Sequence, residues 1–170
     1  MGPASAADDE PFRLDSAPNA VALYWVENIA VMAWHEMATA PVIEALHASA
    51  ADRRERYPSG MSYIHIGRVE LAMMDSATRG TFVRIAKELG TYSACTAIVT
   101  QASGFWASTL RSIVTGIRVL SGTPSEIRFH EKVEEVLEWL PEAHSARTGV
   151  KIDLDRLRRV LLKAGTVMRE

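Results

Sequence analysis

The chain has 170 residues, 48% hydrophobic and 24% charged, with a formal net charge of −2. This is the composition of one globular domain with a real core, and it lacks the basic footprint that binding nucleic acid requires. A single cysteine rules out an intrachain disulfide framework, and no apolar run approaches the roughly 20 residues of a membrane span.

Met1 to Asn19 is rich in Ala, Ser, Asp and Pro, and reads as a flexible leader on which Phe12 and Leu14 are the residues able to dock. Its first ten residues are small and acidic, without the basic start and apolar stretch of a secretory signal. The expected compartment is therefore the cytoplasm.

Ala20 to Val26 and Ile29 to His35 are β-type runs flanking Glu27-Asn28, which predicts an antiparallel hairpin with Asn28 accepting the positive φ. Thr39 and Pro41 suit a helix start, and Val42, Ile43, Leu46 and Ala50 follow at helical spacing. The charged run Asp52 to Arg56 is the solvated end of that helix, and Pro58-Ser59-Gly60 stops it. Met61 to Val69 is a third strand, in which His65 reads as a core or edge imidazole.

Asp75 is a good N-cap for a second helix, with Phe82, Ile85, Ala86 and Leu89 as its stripe and Gly90 as its stop. Cys95 to Thr100 is a continuous apolar run, the pattern of a central strand covered on both faces. A Ser-Gly turn follows, then a long helix whose stripe is Trp106, Leu110, Ile113, Ile117 and Leu120. Ser125 to His130 is a short, polar strand expected near an edge. Val133, Val136, Leu137 and Leu140 make a fourth helix, with Pro141 as its expected end. After a polar connection, a final helix carries Leu154, Leu157, Leu161, Ala164 and Met168.

The order β-β-α-β-α-β-α-β-α predicts an α/β fold, with a mixed, mostly parallel sheet of about five strands, four helices and one extra C-terminal helix. The expected organisation is a leader at 1–19, an α/β domain at 20–140, and a linker with its helix at 141–170. That helix either caps the domain or makes a homodimer.

This order resembles the STAS domain, the fold of bacterial anti-sigma factor antagonists and their SpoIIAA-like and STAS/SEC14-like relatives. Met73 to Ile85, MMDSATRGTFVRI, is similar to the family's turn between third strand and second helix. Val133 to Leu140, VEEVLEWL, is similar to the acidic helix of the SpoIIAA-like relatives. The resemblance implies a non-enzymatic regulatory module in bacterial signalling that acts through a protein partner. Asp75 and Ser76 match the family's motif, but Ala77 stands at the phosphoacceptor position and Thr78 replaces the following glycine. The usual serine-phosphorylation switch is therefore not expected.

Two helix starts are the candidate partner or ligand surface: Asp75, Ser76, Thr78 and Arg79, and Ser103, Gly104 and Phe105. Free N–H groups at such ends attract anions, although ordinary capping by Asp75 and Ser103 explains both. The alternative function is binding, or turnover, of a small anionic or lipid-like ligand between them, with Arg79 and Arg111 as anion partners. Ser103-Gly104 lacks the glycines and lysine of a phosphate loop. His35-Glu36 begins a zinc-protease motif that Thr39 breaks, because its second histidine is missing. No metal, cofactor or catalytic residue is expected. Cys95 reads as a small buried hydrophobe, and the acidic and basic helix faces read as solvated surfaces.

Overall fold

The hairpin β1 (Val21–Val26) and β2 (Ile29–Trp34) opens the fold, and its two strands pair antiparallel from Val21↔Trp34 to Val26↔Ile29. In the computed structural model, which describes residues 11, 14, 19–68, 74–101 and 104–169, β3 (Met61–Ile66), β4 (Ser93–Val99) and β5 (Glu126–His130) then add in parallel. The sheet order is β1-β2-β3-β4-β5, with β5 at one edge as its polar sequence predicts. The expected α/β class with a mixed, mostly parallel five-stranded sheet is what the chain adopts. The helices are α1 (Ala40–Ser49), α2 (Ala51–Arg56), α3 (Ser76–Leu89), α4 (Gly104–Ser121), α5 (Val133–Thr148) and α6 (Leu154–Ala164).

The two faces of the sheet are covered differently. On one, α5 and α6 approach the strands closely and bury Val133, Val136, Leu140, Leu157, Val160 and Leu161 against Val26, Val31, Ile64 and Ile66. The last helix therefore commits its stripe to its own domain, with Leu157 and Leu161 fully buried and Leu154 left outside. On the other face, α1, α3 and α4 lie side by side and approach one another more closely than they approach the sheet. There the core is Leu23, Met32, Trp34, Val42, Ile43 and Ile85, and Leu14 is buried among them. Leu14 thus docks as the sequence allows, whereas Phe12 and most of the leader lie outside the described residues.

Several local expectations are corrected. Glu27, not Asn28, takes the positive φ of the hairpin turn, at 47°. Asn28 is fully buried, so its side chain serves the interior rather than the turn. The first helix breaks at Ala50 into α1 and α2. Pro141 does not end α5, which runs through it to Thr148 and stops at the left-handed Gly149. Pro141 lacks one N–H, but Leu140, His144 and Thr148 continue the buried stripe of Val133 and Val136, and that burial outweighs the lost bond. In α4, Leu110 is buried but Leu120 is 65% exposed, so the expected stripe is not buried to its end. The side chain of Trp106 lies outside the described residues.

Candidate functional site

Asp75 caps α3, its carboxylate accepting from the Thr78 backbone N–H at 2.7 Å. That bond, followed by one from the Thr78 hydroxyl, holds the carboxyl below the usual range. Ser76 and Arg79 are exposed and Thr78 is buried. Gly104 begins α4, Phe105 is 75% exposed, and Ser103 lies outside the described residues. Since α3 and α4 lie side by side, the two helix starts share one end of the sheet, beyond the carboxyl ends of the parallel strands. None of the described residues at these turns lines either of the two main cavities. Arg111 lines one of them, a polar recess of about 260 Å³ with Thr100, His130, Glu131 and Glu135, where its guanidinium lies 5.9 Å from the Phe129 ring. Two carboxylates against one guanidinium make this recess a poor anion site.

The most enzyme-like constellation lies under α5. The Asn28 amide donates to the Gly60 carbonyl at 2.7 Å, which turns its Oδ1 toward His144 Nε2 at 2.9 Å. Because Oδ1 only accepts, Nε2 carries the proton, and Nδ1 accepts from the Ser62 hydroxyl at 2.8 Å. The connectivity is that of a nucleophile, a base and an orienting group. Yet Asn28, Ser62 and His144 all have zero exposure. No substrate atom could reach Ser62, so the network fastens α5 to β2 and β3 and performs no chemistry. Cys95 is equally enclosed, and burial pushes its thiol pKa up, so it is no nucleophile. Among the described residues, no three His, Cys, Asp or Glu side chains gather as a metal site. No described helix is long and apolar enough to cross a membrane.

The opening that matters lies between the sheet and α1, α3 and α4. It is a half-open cavity of about 240 Å³ with an almost wholly apolar lining. Register explains the room. The cavity floor is two cross-strand rows, Trp25–Ala30–Tyr63–Thr96–Ile127 and Leu23–Met32–His65–Ile98. Ala30 and Thr96 are short, and they flank Tyr63 in the middle of the sheet. Thr96 and Ile98 remain partly accessible although β4 is an interior strand. Their neighbours on the opposite face, Cys95, Ala97 and Val99, are sealed.

His65 is the most informative group on this floor. Its ring lies beside that of Trp34 and nearly parallel to it, with centroids 6.2 Å apart and planes 6° apart. The Trp34 Nε1–H donates to His65 Nδ1 at 3.3 Å. An indole nitrogen can only donate, so Nδ1 must be unprotonated and the proton of the neutral ring sits on Nε2. Desolvation pushes the pKa down to about 4, so the ring stays neutral at ordinary pH. Although deep in the interior, His65 keeps some accessibility because it faces the cavity. Burial likewise raises the Tyr63 phenol pKa, with Tyr92 adding to the rise.

The rim is charged and of one sign. Arg54 and Arg118 stand at the end where α1 and α4 finish, and Arg68 follows β3 at the other. Among the described residues no Asp or Glu lines the cavity. His47, also at the rim, is pushed toward its neutral form by desolvation, then by Arg54. Sequence reasoning missed this site because it depends on register. The available signal was the pair Tyr63 and His65, two residues apart in a strand and so on one face. No protein-family model, curated protein or solved structure matches the chain.

Proposed function

We propose that this chain is a small-ligand-binding regulatory module without catalytic activity of its own. It takes an apolar or lipid-like molecule into the cavity beneath α1, α3 and α4. The observation that carries the reading is the pairing of an apolar, half-open cavity with a rim whose charged members, among the described residues, are arginines. An apolar body would be desolvated inside while an acidic end stays near Arg54 or Arg118. A cavity of roughly 150 Å³ holds benzene, so 240 Å³ suits a body of about ten non-hydrogen atoms. The ligand class is thus the anionic or lipid-like one expected from the sequence, in a different place: the sheet face rather than the helix starts.

The STAS-like reading supplies the regulatory part. The element order supports it, and the exposed Phe105 beside the Asp75 turn offers a partner an aromatic anchor. In this reading, filling the cavity beneath α3 and α4 alters how their starts are presented to that partner.

The test is titration with octanoate, followed by NMR of the Thr96 and Ile98 methyl groups. Octanoate should shift these methyls. Ala30→Leu, which fills the floor, should abolish the shifts, and Arg118→Glu should weaken binding. Shifts confined to surface residues, or unchanged in a folded Ala30→Leu variant, would refute the proposal.

A further inference from the structure

We infer that His65 Nε2–H is a specificity-determining donor, so the preferred ligand carries an uncharged oxygen acceptor, such as a ketone or ester carbonyl, within its apolar body. This rests on the cavity reading above and adds to it the chemistry of the floor.

Three polar side chains face the cavity from the two central strands it exposes. Tyr63 and Thr96 are cross-strand partners, and His65 lies two residues beyond Tyr63 on the same face. Trp34 occupies His65 Nδ1, so the ring can offer the cavity only a donor. Among the described residues, Nε2 has no hydrogen-bond partner. Nor is it one of the fully enclosed orphan atoms, so it is open to a molecule in the cavity. The hydroxyls of Tyr63 and Thr96 share both properties. A donor in an apolar enclosure is costly to leave unmade, and an acceptor oxygen that meets it restores the lost hydrogen bond. A carboxylate is the wrong acceptor there. The site would strip its hydration and return a neutral imidazole, whereas the rim offers guanidinium. The apolar floor therefore selects a neutral oxygen, and the rim an acidic end where the ligand has one.

Trp34 is the positioning residue. It fixes which ring nitrogen holds the proton, and the same hydrogen bond sets the plane of the ring nearly parallel to its own. Trp34→Phe keeps an aromatic ring beside His65 but removes the donor, releasing His65 to exchange between tautomers.

The experiment uses two probes of one shape, acetophenone and α-methylstyrene, which differ only in a carbonyl oxygen against a methylene. Binding to the full chain is followed by NMR of the Thr96 and Ile98 methyls. The carbonyl stretch of bound acetophenone is followed by infrared difference spectroscopy. In the native chain that stretch should fall below its position in hydrocarbon solvent. His65→Leu should weaken acetophenone about five- to tenfold relative to α-methylstyrene, the size of one net hydrogen bond. Trp34→Phe should average the two His65 nitrogen-15 shifts and reduce the same ratio in part. If His65→Leu does not fold, the native carbonyl stretch and Trp34→Phe decide. If both probes bind but the stretch stays at its hydrocarbon value, or His65→Leu weakens both equally, the donor role is overturned and the cavity reading stands. If neither probe perturbs the cavity methyls, the cavity reading falls and this inference falls with it.

Discussion

Two imidazoles are held neutral in the interior, and they should make the fold acid-sensitive in a defined window. His144 is enclosed with its two nitrogens satisfied by Asn28 and Ser62. His65 lies on the cavity floor. Desolvation pushes each pKa down from 6.5 to about 4. In the unfolded chain each takes its proton near pH 6.5, while in the folded chain each resists until about pH 4. Between these values the unfolded state binds more protons, so stability falls as pH falls. It is complete above the unfolded pKa and lost once pH passes through the folded one. Each group contributes roughly 1 kcal/mol per pH unit, or about 3 kcal/mol across the window. That is a large part of a domain's stability, of order 5–15 kcal/mol. The assay is urea unfolding at half-unit steps from pH 8 to pH 4, with His144→Gln beside the native chain. His144→Gln should be less stable at pH 8 by about 1–3 kcal/mol, because Ser62 or Asn28 loses a partner. Its stability should also fall less steeply, by roughly 1 kcal/mol per pH unit below pH 6.5. Comparing the two chains cancels the other titrating groups, including His47 and His130, whose pKa values desolvation also lowers. An identical pH slope in the two chains would refute the argument.

Three further outcomes concern the frame. Leu157→Ala should cost about 2–5 kcal/mol in urea unfolding, as a fully enclosed leucine does. Leu154→Ala, on the exposed side of α6, should stay within about 0.5 kcal/mol. Equal effects would mean that α6 does not pack on the sheet as described. Gly60→Ala should destabilise by at least about 1–3 kcal/mol, because φ is +126° there and an added Cβ would stand 2.8 Å from the Tyr92 carbonyl oxygen. A neutral result by thermal melting would remove that close approach. Pro141→Ala should stabilise, by up to about 3 kcal/mol, since it restores an N–H and relieves a clash inside α5. A loss of stability would mean that the proline's shape is needed there.

The layers of this fold were legible because they follow from short-range pattern. Period-two runs, the Asp75 cap and the glycine stop at 90 mark elements without any knowledge of their neighbours. What was illegible depends on long-range register. Asn28, Ser62 and His144 form one network only because β2, β3 and α5 converge, and nothing near any of the three announces the others. Pro141 misled for a related reason: local propensity predicts a stop, while the stripe Leu140–His144–Thr148 that overrides it is defined by the sheet beneath. The cavity is the extreme case. It exists because Ala30 and Thr96 fall in one cross-strand row with Tyr63, and a one-residue slip would turn all three to the other face. The candidate surface at Asp75 and Gly104 was legible as two helix starts, but none of the described residues there lines the apolar cavity.

The contrast between the two faces carries the functional argument furthest. The same sheet is sealed by α5 and α6 on one side and left with about 240 Å³ on the other. At about 24 cal/mol per Å³, an empty enclosure of that size would cost up to about 6 kcal/mol. The half-open mouth lowers that figure by admitting water, but water finds few partners on an apolar wall. A bulkier side chain at position 30 or 96 would shrink the gap, yet those positions hold alanine and threonine. Polar groups make the choice sharper. A core that merely packed badly would not place Tyr63, His65 and Thr96 together on its uncovered floor, nor fix the His65 proton with a tryptophan. Poor packing explains a void. It does not explain a void with an oriented donor at its base and, among the described residues, arginines as the charged groups at its rim, and that combination is what a ligand of matching chemistry would use.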